Sequence, residues 1–142
     1  MTTIIEHTTE YTSECPLQGL TLLVSDDEIR LRQIIVLMAE ELGARVIDVD
    51  ASEKAIAIYQ EKQNEIDLLM LDLRMAGMSG ESAYRKIKEM NPNAKIALSS
   101  GIRPDDEFID ELVADGCAFI EKPFDMDGLA EVLCRLANRA YH

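Results

Sequence analysis

Short apolar runs alternate along the chain with longer stretches in which apolar residues recur at helical spacing. The first run, residues 20–25, is continuous and apolar, which is typical of a strand buried on both faces. From Asp27 onward the spacing becomes helical, and Gly43 supplies a natural end to the predicted helix. The positions predicted to face inward in this helix are Leu31, Ile34, Ile35, Met38 and Leu42.

The same alternation of strand and helix repeats four more times. Residues 66–71 form the most apolar run and are therefore predicted to be the central strand. The fourth helix is predicted to begin at Pro104, and Asp125 is the predicted N-cap of the last. Five alternations predict a parallel sheet covered by helices on both faces through right-handed crossovers. The remaining predicted strands are 45–49, 94–99 and 118–121, and the predicted helices after the first are 52–64, 81–90, 104–114 and one from 125.

Length and composition indicate one domain preceded by a short arm. The chain has 142 residues, enough to bury a core without disulfides. Residues 1–18 lack a clear period and are predicted to be a flexible N-terminal arm or linker stub, with residues 19–142 as the folded domain. The net charge of −13 argues against direct binding to nucleic acid, and no apolar stretch approaches the ~20 residues of a membrane span. Three cysteines without a C-x-x-C pair indicate reduced thiols and a cytoplasmic location.

Polar residues follow the predicted strands at one edge of the sheet. Asp26 and Asp27 come after the first predicted strand, and Asp72 comes directly after the third. Ser100 and Lys122 follow the fourth and fifth strands, and in open parallel sheets the ligand site lies outside these ends. Acids beside buried apolar segments are costly unless a cation joins them, and Mg²⁺ binds carboxylate oxygen. Three acids, a hydroxyl and a lysine at one edge predict a phosphoryl-transfer site.

Four segments carry a resemblance to a known family. They are VSDDE at 24–28, LDLRM at 71–75, SSG at 99–101 and EKPF at 121–124. In this order, and each at a strand end, they resemble the receiver domain of two-component response regulators over about residues 20–140. The resemblance implies a single-domain α/β fold of the flavodoxin-like (βα)5 type, a doubly wound five-stranded parallel sheet with strand order 2-1-3-4-5.

The resemblance also implies roles for the site residues. Asp72 is expected to accept a phosphoryl group from a phosphohistidine on a sensor histidine kinase or a histidine phosphotransfer domain. Asp27, Asp72 and the backbone carbonyl of Arg74 are expected to coordinate Mg²⁺, with Asp26 acting mainly through bound water. Lys122 is expected to pair with Asp72 at rest and with a phosphoryl oxygen afterwards.

The same resemblance implies how the signal is passed on and ended. Ser100 would donate a hydrogen bond to the phosphoryl group, and Phe119 matches the family's switch aromatic, which is frequently tyrosine. The side chains two residues past the acceptor and the serine, Arg74 and Ile102, flank the mouth of the site and are expected to make phosphate loss slow. The Lys122–Pro123 bond is expected to be cis. The last helix–strand–helix face is a candidate homodimer surface.

The same residues bear on several alternative functions. The chain is expected to be a signalling module and not an enzyme, apart from catalysing its own phosphorylation and slow dephosphorylation. Whether it is a stand-alone regulator or the C-terminal receiver of a hybrid sensor histidine kinase stays open. An aspartyl-phosphate phosphatase of the haloacid-dehalogenase type would carry a second Asp where Arg74 stands. A flavin-binding flavodoxin-like module would need a Ser/Thr/Gly-rich loop at 25–28, where Ser-Asp-Asp-Glu stands.

Overall fold

The computed structural model describes residues 15–141, in which five strands alternate with five helices. The strands are β1 (Thr21–Ser25), β2 (Arg45–Val49), β3 (Leu68–Asp72), β4 (Ile96–Ser100) and β5 (Ala118–Glu121). The helices are α1 (Ile29–Glu41), α2 (Ser52–Lys62), α3 (Gly80–Met90), α4 (Asp106–Ala114) and α5 (Met126–Leu136), and a short 3-10 helix, Gln63–Glu65, follows α2. Across the described residues, every helix is too short or too polar to span a bilayer.

The five strands form one parallel sheet in the order β2-β1-β3-β4-β5. This order confirms the predicted flavodoxin-like architecture, and it confirms that the most apolar strand, β3, is central. All five residues of β3 are buried. Its composition follows from its position, because a strand with neighbours on both sides and helices on both faces has no solvent-facing side chains.

Side chains along the strands alternate between two apolar cores, one on each face of the sheet. On one face, Leu22, Val24 and Met70 pack with residues of α1 and α5. On the other face, Leu23 and Leu69 pack with residues of α2, α3 and α4. Helices therefore cover both faces, and the carboxyl ends of the strands are left as the edge where polar side chains gather.

Two strands extend further toward this edge than their apolar runs indicate. β3 includes Asp72 and β4 includes Ser100, whereas the predicted strands ended one residue earlier. The parallel ladder explains the extension, because backbone pairing continues past the apolar residues. Asp72 lies opposite Ser99, and the Leu73 N–H donates to the Ser99 carbonyl at 2.8 Å. The pattern of side chains does not report this backbone pairing.

The starts of two helices show how short polar side chains set a boundary. α4 begins at Asp106, so the prediction that this helix begins at Pro104 is wrong. Asp105 is the N-cap instead, and its Oδ1 accepts a hydrogen bond from the Phe108 N–H at 2.9 Å. The predicted N-cap of α5, Asp125, is confirmed by a contact of the same kind.

One predicted core position of α1 is wrong. Ile34 is 50% exposed. The buried stripe of this helix runs through Ile35 and Ala39 and continues into Leu42, and Ile34 lies to one side of it. The remaining predicted inward positions of α1 are fully or partly buried.

The residues just before β1 pack onto the domain. Leu17 is fully buried, and its N–H donates to the Leu42 carbonyl at 2.9 Å. The carbonyls of Pro16 and Gln18 accept hydrogen bonds from the Arg139 guanidinium. The predicted boundary between arm and domain at residue 18 stays a prediction, since residues 1–14 lie outside the described part of the chain.

Candidate functional site

The register of the sheet brings the predicted site residues to one edge. β1 pairs with β3 as far as Ser25 opposite Leu71, and Asp26 and Asp72 are the next residues of the two segments. The pairing of β4 with β5 places Lys122 one residue beyond the position opposite Ser100, and the Lys122 N–H donates to the Ser100 carbonyl at 2.8 Å. Because parallel strands end at the same edge, groups from three separate connections meet in a small volume.

A lysine joins two buried carboxylates at the centre of the site. Lys122 Nζ lies 3.1 Å from Asp26 Oδ2 and 3.0 Å from Asp72 Oδ2. The side chains of Asp26 and Asp72 are 1% and 7% exposed, and that of Lys122 is 18% exposed. One cation therefore serves two buried acids, so the centre of the site carries excess negative charge.

Burial and the neighbouring charges shift the pKa of Asp72 and of Lys122. Burial raises the pKa of the Asp72 carboxyl above its usual value, and the charge of Asp26 adds to this, while hydrogen bonds from the Arg74 N–H and Lys122 oppose it. Burial lowers the pKa of Lys122, but its hydrogen bonds and attraction to Asp72 and Asp26 outweigh burial and raise it. Both directions follow from two carboxylates sharing one cation in a poorly solvated place.

Asp27 adds a third carboxylate on the solvent side of this pair. Its side chain is exposed, and its Oδ2 accepts a hydrogen bond from the Ala76 N–H at 3.2 Å. One oxygen from each of Asp26, Asp27 and Asp72 lies within 4.8 Å of the others. Hard oxygen donors at this spacing fit Mg²⁺, which is usually held by one or two carboxylates and keeps several waters.

Backbone contacts hold the connection that follows Asp72. Asp72 Oδ1 accepts a hydrogen bond from the Arg74 N–H at 3.0 Å. Gly80, the first residue of α3, lies so close to this connection that a Cβ there would overlap the Asp72 carbonyl oxygen and the Leu73 backbone. A side chain at position 80 would push either the helix or the end of β3 away. The glycine therefore fixes how closely α3 approaches the site.

The side chains of Ser100, Ile102 and Phe119 make no hydrogen bond to the side chains of the charged cluster within the described part of the chain. Ser100 is buried, and its Oγ accepts a hydrogen bond from the Ile102 N–H at 3.1 Å. Ile102 is 58% exposed, and Phe119 is partly buried against the core shared by α2, α3 and α4. The Lys122–Pro123 bond is cis, as expected. The structure thus joins the acids and the lysine in one cluster and places the serine on the adjacent strand.

Three residues near the cluster were not predicted from the sequence. Arg32 donates to the Asp26 carbonyl at 2.7 Å. The Sδ atom of Met75 lies 3.6 and 3.7 Å from two serine hydroxyls. Arg32 lies six residues after Asp26, which is not a helical contact spacing, so no local sequence signal marks its contact. The contacts of Met75 and Gly80 depend on tertiary packing that no local pattern reports.

Known proteins resemble the chain over most of its length. The sequence model of the response regulator receiver domain matches residues 22–134. Chemotaxis protein CheY of Bacillus subtilis is 29% identical over 117 residues, which cover 82% of this chain and 97% of that protein. The autoinducer 1 sensor kinase/phosphatase LuxN of Vibrio campbellii is 31% identical over 124 residues, which cover 86% of this chain. The chain spans 14% of the length of LuxN.

Solved structures give the same result for the fold. A response regulator receiver domain protein from Clostridium thermocellum superposes with a TM-score of 0.76 at 26% identity, covering 84% of this chain and 94% of that one. A chain of the CheX–CheY–BeF3–Mg²⁺ complex from Borrelia burgdorferi gives a TM-score of 0.73 at 26% identity, covering 85% of this chain and 89% of that one.

Proposed function

The chain belongs to the response regulator receiver domain family and is a phospho-accepting signalling module, and we propose that Asp72 is the acceptor. The observation that carries this assignment is the surroundings of Asp72. It closes the central strand, it is buried, and it shares Lys122 with Asp26. A carboxylate held in this way lies beside a fixed positive charge that can stabilise a phosphoryl group.

The proposed donor is a phosphohistidine of a sensor histidine kinase or a histidine phosphotransfer domain. A carboxylate oxygen of Asp72 attacks the phosphorus, the phosphorus–nitrogen bond breaks, and the electron pair of that bond returns to the imidazole, which takes up a proton. The product is an aspartyl phosphate. Lys122 would remain beside the new negative charge. Catalysis by the chain would be limited to its own phosphorylation and slow dephosphorylation.

Mg²⁺ is the proposed cofactor of this step. Asp27, Asp72 and the backbone carbonyl of Arg74 would hold the ion, and Asp26 would contact it mainly through water. When bound, the ion supplies positive charge to the oxygens of the transferring phosphoryl group. The excess of acids over Lys122 at the cluster supports this proposal, because the excess charge is what a divalent cation offsets.

A groove beside Phe119 is the proposed output surface. Its volume is about 500 Å³, and basic side chains of Lys95, Arg103 and Arg135 line it together with apolar residues of α4 and β5. In a chain of net charge −13, this lining favours a partner that presents acidic and apolar side chains. Movement of Ser100 toward a phosphoryl group would vacate space for Phe119 and so change the groove, as a two-state population shift. A second copy of the chain on the same face is the alternative occupant.

Loss of phosphate is proposed to be slow. Arg74 and Ile102 are exposed beside the site. Neither side chain offers a carboxylate or amide that would orient an attacking water, and Ile102 adds an apolar wall. The Arg74 guanidinium is able to hold a phosphoryl oxygen and so favour the phosphorylated ground state. Signal termination would then rely on back-transfer to histidine or on a separate phosphatase.

The comparisons do not favour the alternative functions. The chain resembles both CheY, which it nearly spans, and a short part of LuxN. These two similarities do not favour a hybrid kinase over a stand-alone regulator. The family match likewise does not favour an aspartyl-phosphate phosphatase.

A reducing, cytoplasmic setting is proposed because the thiols of Cys117 and Cys134 are buried and form no disulfide.

A small phosphodonor tests the proposed function without a partner protein. With acetyl phosphate and Mg²⁺, intact-mass measurement should show one phosphoryl group added to the wild type and none added to Asp72→Asn. Asp50→Asn, which changes an exposed acid paired with Lys54, is the matched control and should be labelled like the wild type. An unlabelled wild type, or equal labelling of Asp72→Asn, would refute the assignment.

A further inference from the structure

Arg32 lies in the first turns of α1 and reaches back to the connection that carries two of the three acids. Its Nη1 donates to the backbone carbonyl of Asp26 at 2.7 Å. Its Nε donates to Asp48 Oδ2 on β2 at 2.9 Å. The Arg32 side chain is 14% exposed and that of Asp48 is 42% exposed, so the contact with Asp26 is the better shielded of the two. The guanidinium thereby fastens the β1–α1 connection to the neighbouring strand.

The Arg32 contact completes a set of hydrogen bonds around Asp26. The Asp26 N–H donates to the Val49 carbonyl at 3.1 Å, and Asp26 Oδ1 accepts from the Glu28 N–H at 2.9 Å. With the bond from Arg32 to its carbonyl, each polar group of Asp26 is occupied, since Oδ2 accepts from Lys122. The following residue, Asp27, is exposed and is held by a longer bond from the Ala76 N–H. Its placement therefore depends on how firmly the Asp26 peptide is fixed.

We propose that Arg32 is a positioning residue for the acid cluster. It fixes the peptide between Asp26 and Asp27, and this keeps both carboxylates turned toward Asp72. Arg32 does not itself contact the proposed metal or phosphoryl group. The proposal rests on the proposed function only in taking Mg²⁺ as the ion that the cluster binds.

Two possible roles of Arg32 predict opposite changes in Mg²⁺ affinity when its side chain is removed. As a bare positive charge near the cluster, Arg32 would repel a divalent cation, and its removal would tighten Mg²⁺ binding. As a positioning residue, its removal would loosen two carboxylates and weaken Mg²⁺ binding. Groups that orient metal ligands change metal affinity by roughly 10–100-fold when they are lost, and this exceeds the screened repulsion of a single charge. We therefore expect a net weakening.

The experiment compares Mg²⁺ dissociation constants measured calorimetrically in the absence of phosphodonor. Arg32→Met should weaken Mg²⁺ binding by about tenfold relative to wild type. Arg32→Lys keeps the charge but loses the planar guanidinium that reaches both Asp26 and Asp48. Its Mg²⁺ affinity should therefore lie between those of wild type and Arg32→Met. Arg30→Met is the matched control, because Arg30 is exposed on the same helix and forms no hydrogen bond or ion pair with the described residues. Its affinity should stay within about twofold of wild type.

Each outcome decides the proposal. Unchanged or tighter Mg²⁺ binding by Arg32→Met would overturn it, as would a wild-type affinity in Arg32→Lys. If Arg32→Met does not fold, Arg32→Lys decides by the same criterion. A purely structural role would lower the melting temperature of the variants without changing the dissociation constant. Failure of the proposed function is distinguishable, because it would show as no phosphorylation of Asp72 whatever the Mg²⁺ affinity.

Discussion

Two clusters in this molecule place one cation between two carboxylates, and they differ in burial. Lys122 lies 3.1 and 3.0 Å from Asp26 and Asp72, whose side chains are 1% and 7% exposed. Arg85 lies at similar distances, 3.0 Å from Glu81 of α3 and 2.7 Å from Glu111 of α4. The side chains of these two glutamates are 51% and 39% exposed.

The contact distances are alike, so the energetic difference comes from the surroundings. Water replaces a lost partner at the exposed cluster, where Arg85 also lies 5.9 Å from the ring centres of Tyr84 and Phe108. At the buried cluster no such replacement is available, and a lost partner leaves an uncompensated charge. The buried cluster is therefore where added charge, from a metal ion or a phosphoryl group, has the largest effect. The exposed cluster serves to tie α3 to α4.

Removing the two cations should show the largest difference. In metal-free buffer, Lys122→Met should lower the free energy of unfolding by about 3 kcal/mol, because it leaves two buried acids unpaired. Arg85→Met should lower it by less than about 1 kcal/mol. Chemical denaturation at neutral pH measures both. Mg²⁺ should stabilise Lys122→Met more than wild type, since the ion restores positive charge. Equal losses in the two variants would show that burial does not separate the clusters.

The raised pKa of Asp72 gives the buried cluster a defined dependence on pH. Because burial raises this pKa in the folded state, Asp72 binds a proton more readily in the folded protein than in the unfolded chain, and its contribution to stability should fall as pH rises above 3.8, the usual value. Asp72→Asn removes this titration. In the presence of EDTA, its stability relative to wild type should therefore increase from about pH 4 to pH 7. A difference that is constant over this range would contradict the direction of the shift.

Asp27 should give a smaller and opposite effect on stability. Asp27→Asn removes one of three clustered negative charges while leaving an oxygen to accept from the Ala76 N–H. It should stabilise the metal-free protein by about 0.5 kcal/mol and weaken its stabilisation by Mg²⁺. Asp50→Asn, at an exposed acid paired with Lys54, should show neither effect. The corresponding change at Asp26 would not isolate the effect of charge, since it also alters the contact with Lys122.

The smallest effects are expected at the exposed edge of the site. Arg74→Asn and Ile102→Ala should both speed the decay of the aspartyl phosphate, the first by supplying an amide that orients water and the second by removing an apolar wall. Decay is followed by loss of the added mass after the phosphodonor is removed. Slower decay in both variants than in wild type would contradict the proposed role of these side chains.

The sequence predicted those parts of the molecule that depend on order along the chain. Alternating apolar runs and helical spacing predicted the parallel sheet and the central place of β3, and the polar residues after each strand predicted which groups would share an edge. The position of Lys122 between two acids follows from this, because parallel strands end together.

What the sequence did not predict depends on contacts across the fold. Ile34 fits the helical pattern as well as Ile35 does, and only the packing of α1 on the sheet decides which is exposed. The first residue of α4 was missed because both Pro104 and Asp105 are favourable before a helix. The role of Gly80 and the bond from Arg32 to Asp26 required the distances between elements.

Phosphoryl transfer is proposed to take place on the buried carboxylate that ends the central strand. The most direct test treats the protein with acetyl phosphate and Mg²⁺, reduces the acyl phosphate with borohydride, and locates the reduced carboxyl by peptide mass spectrometry. Reduction is expected at Asp72 alone, with the carboxyls of Asp26 and Asp27 unchanged. Reduction at either of those acids with Asp72 intact would contradict it.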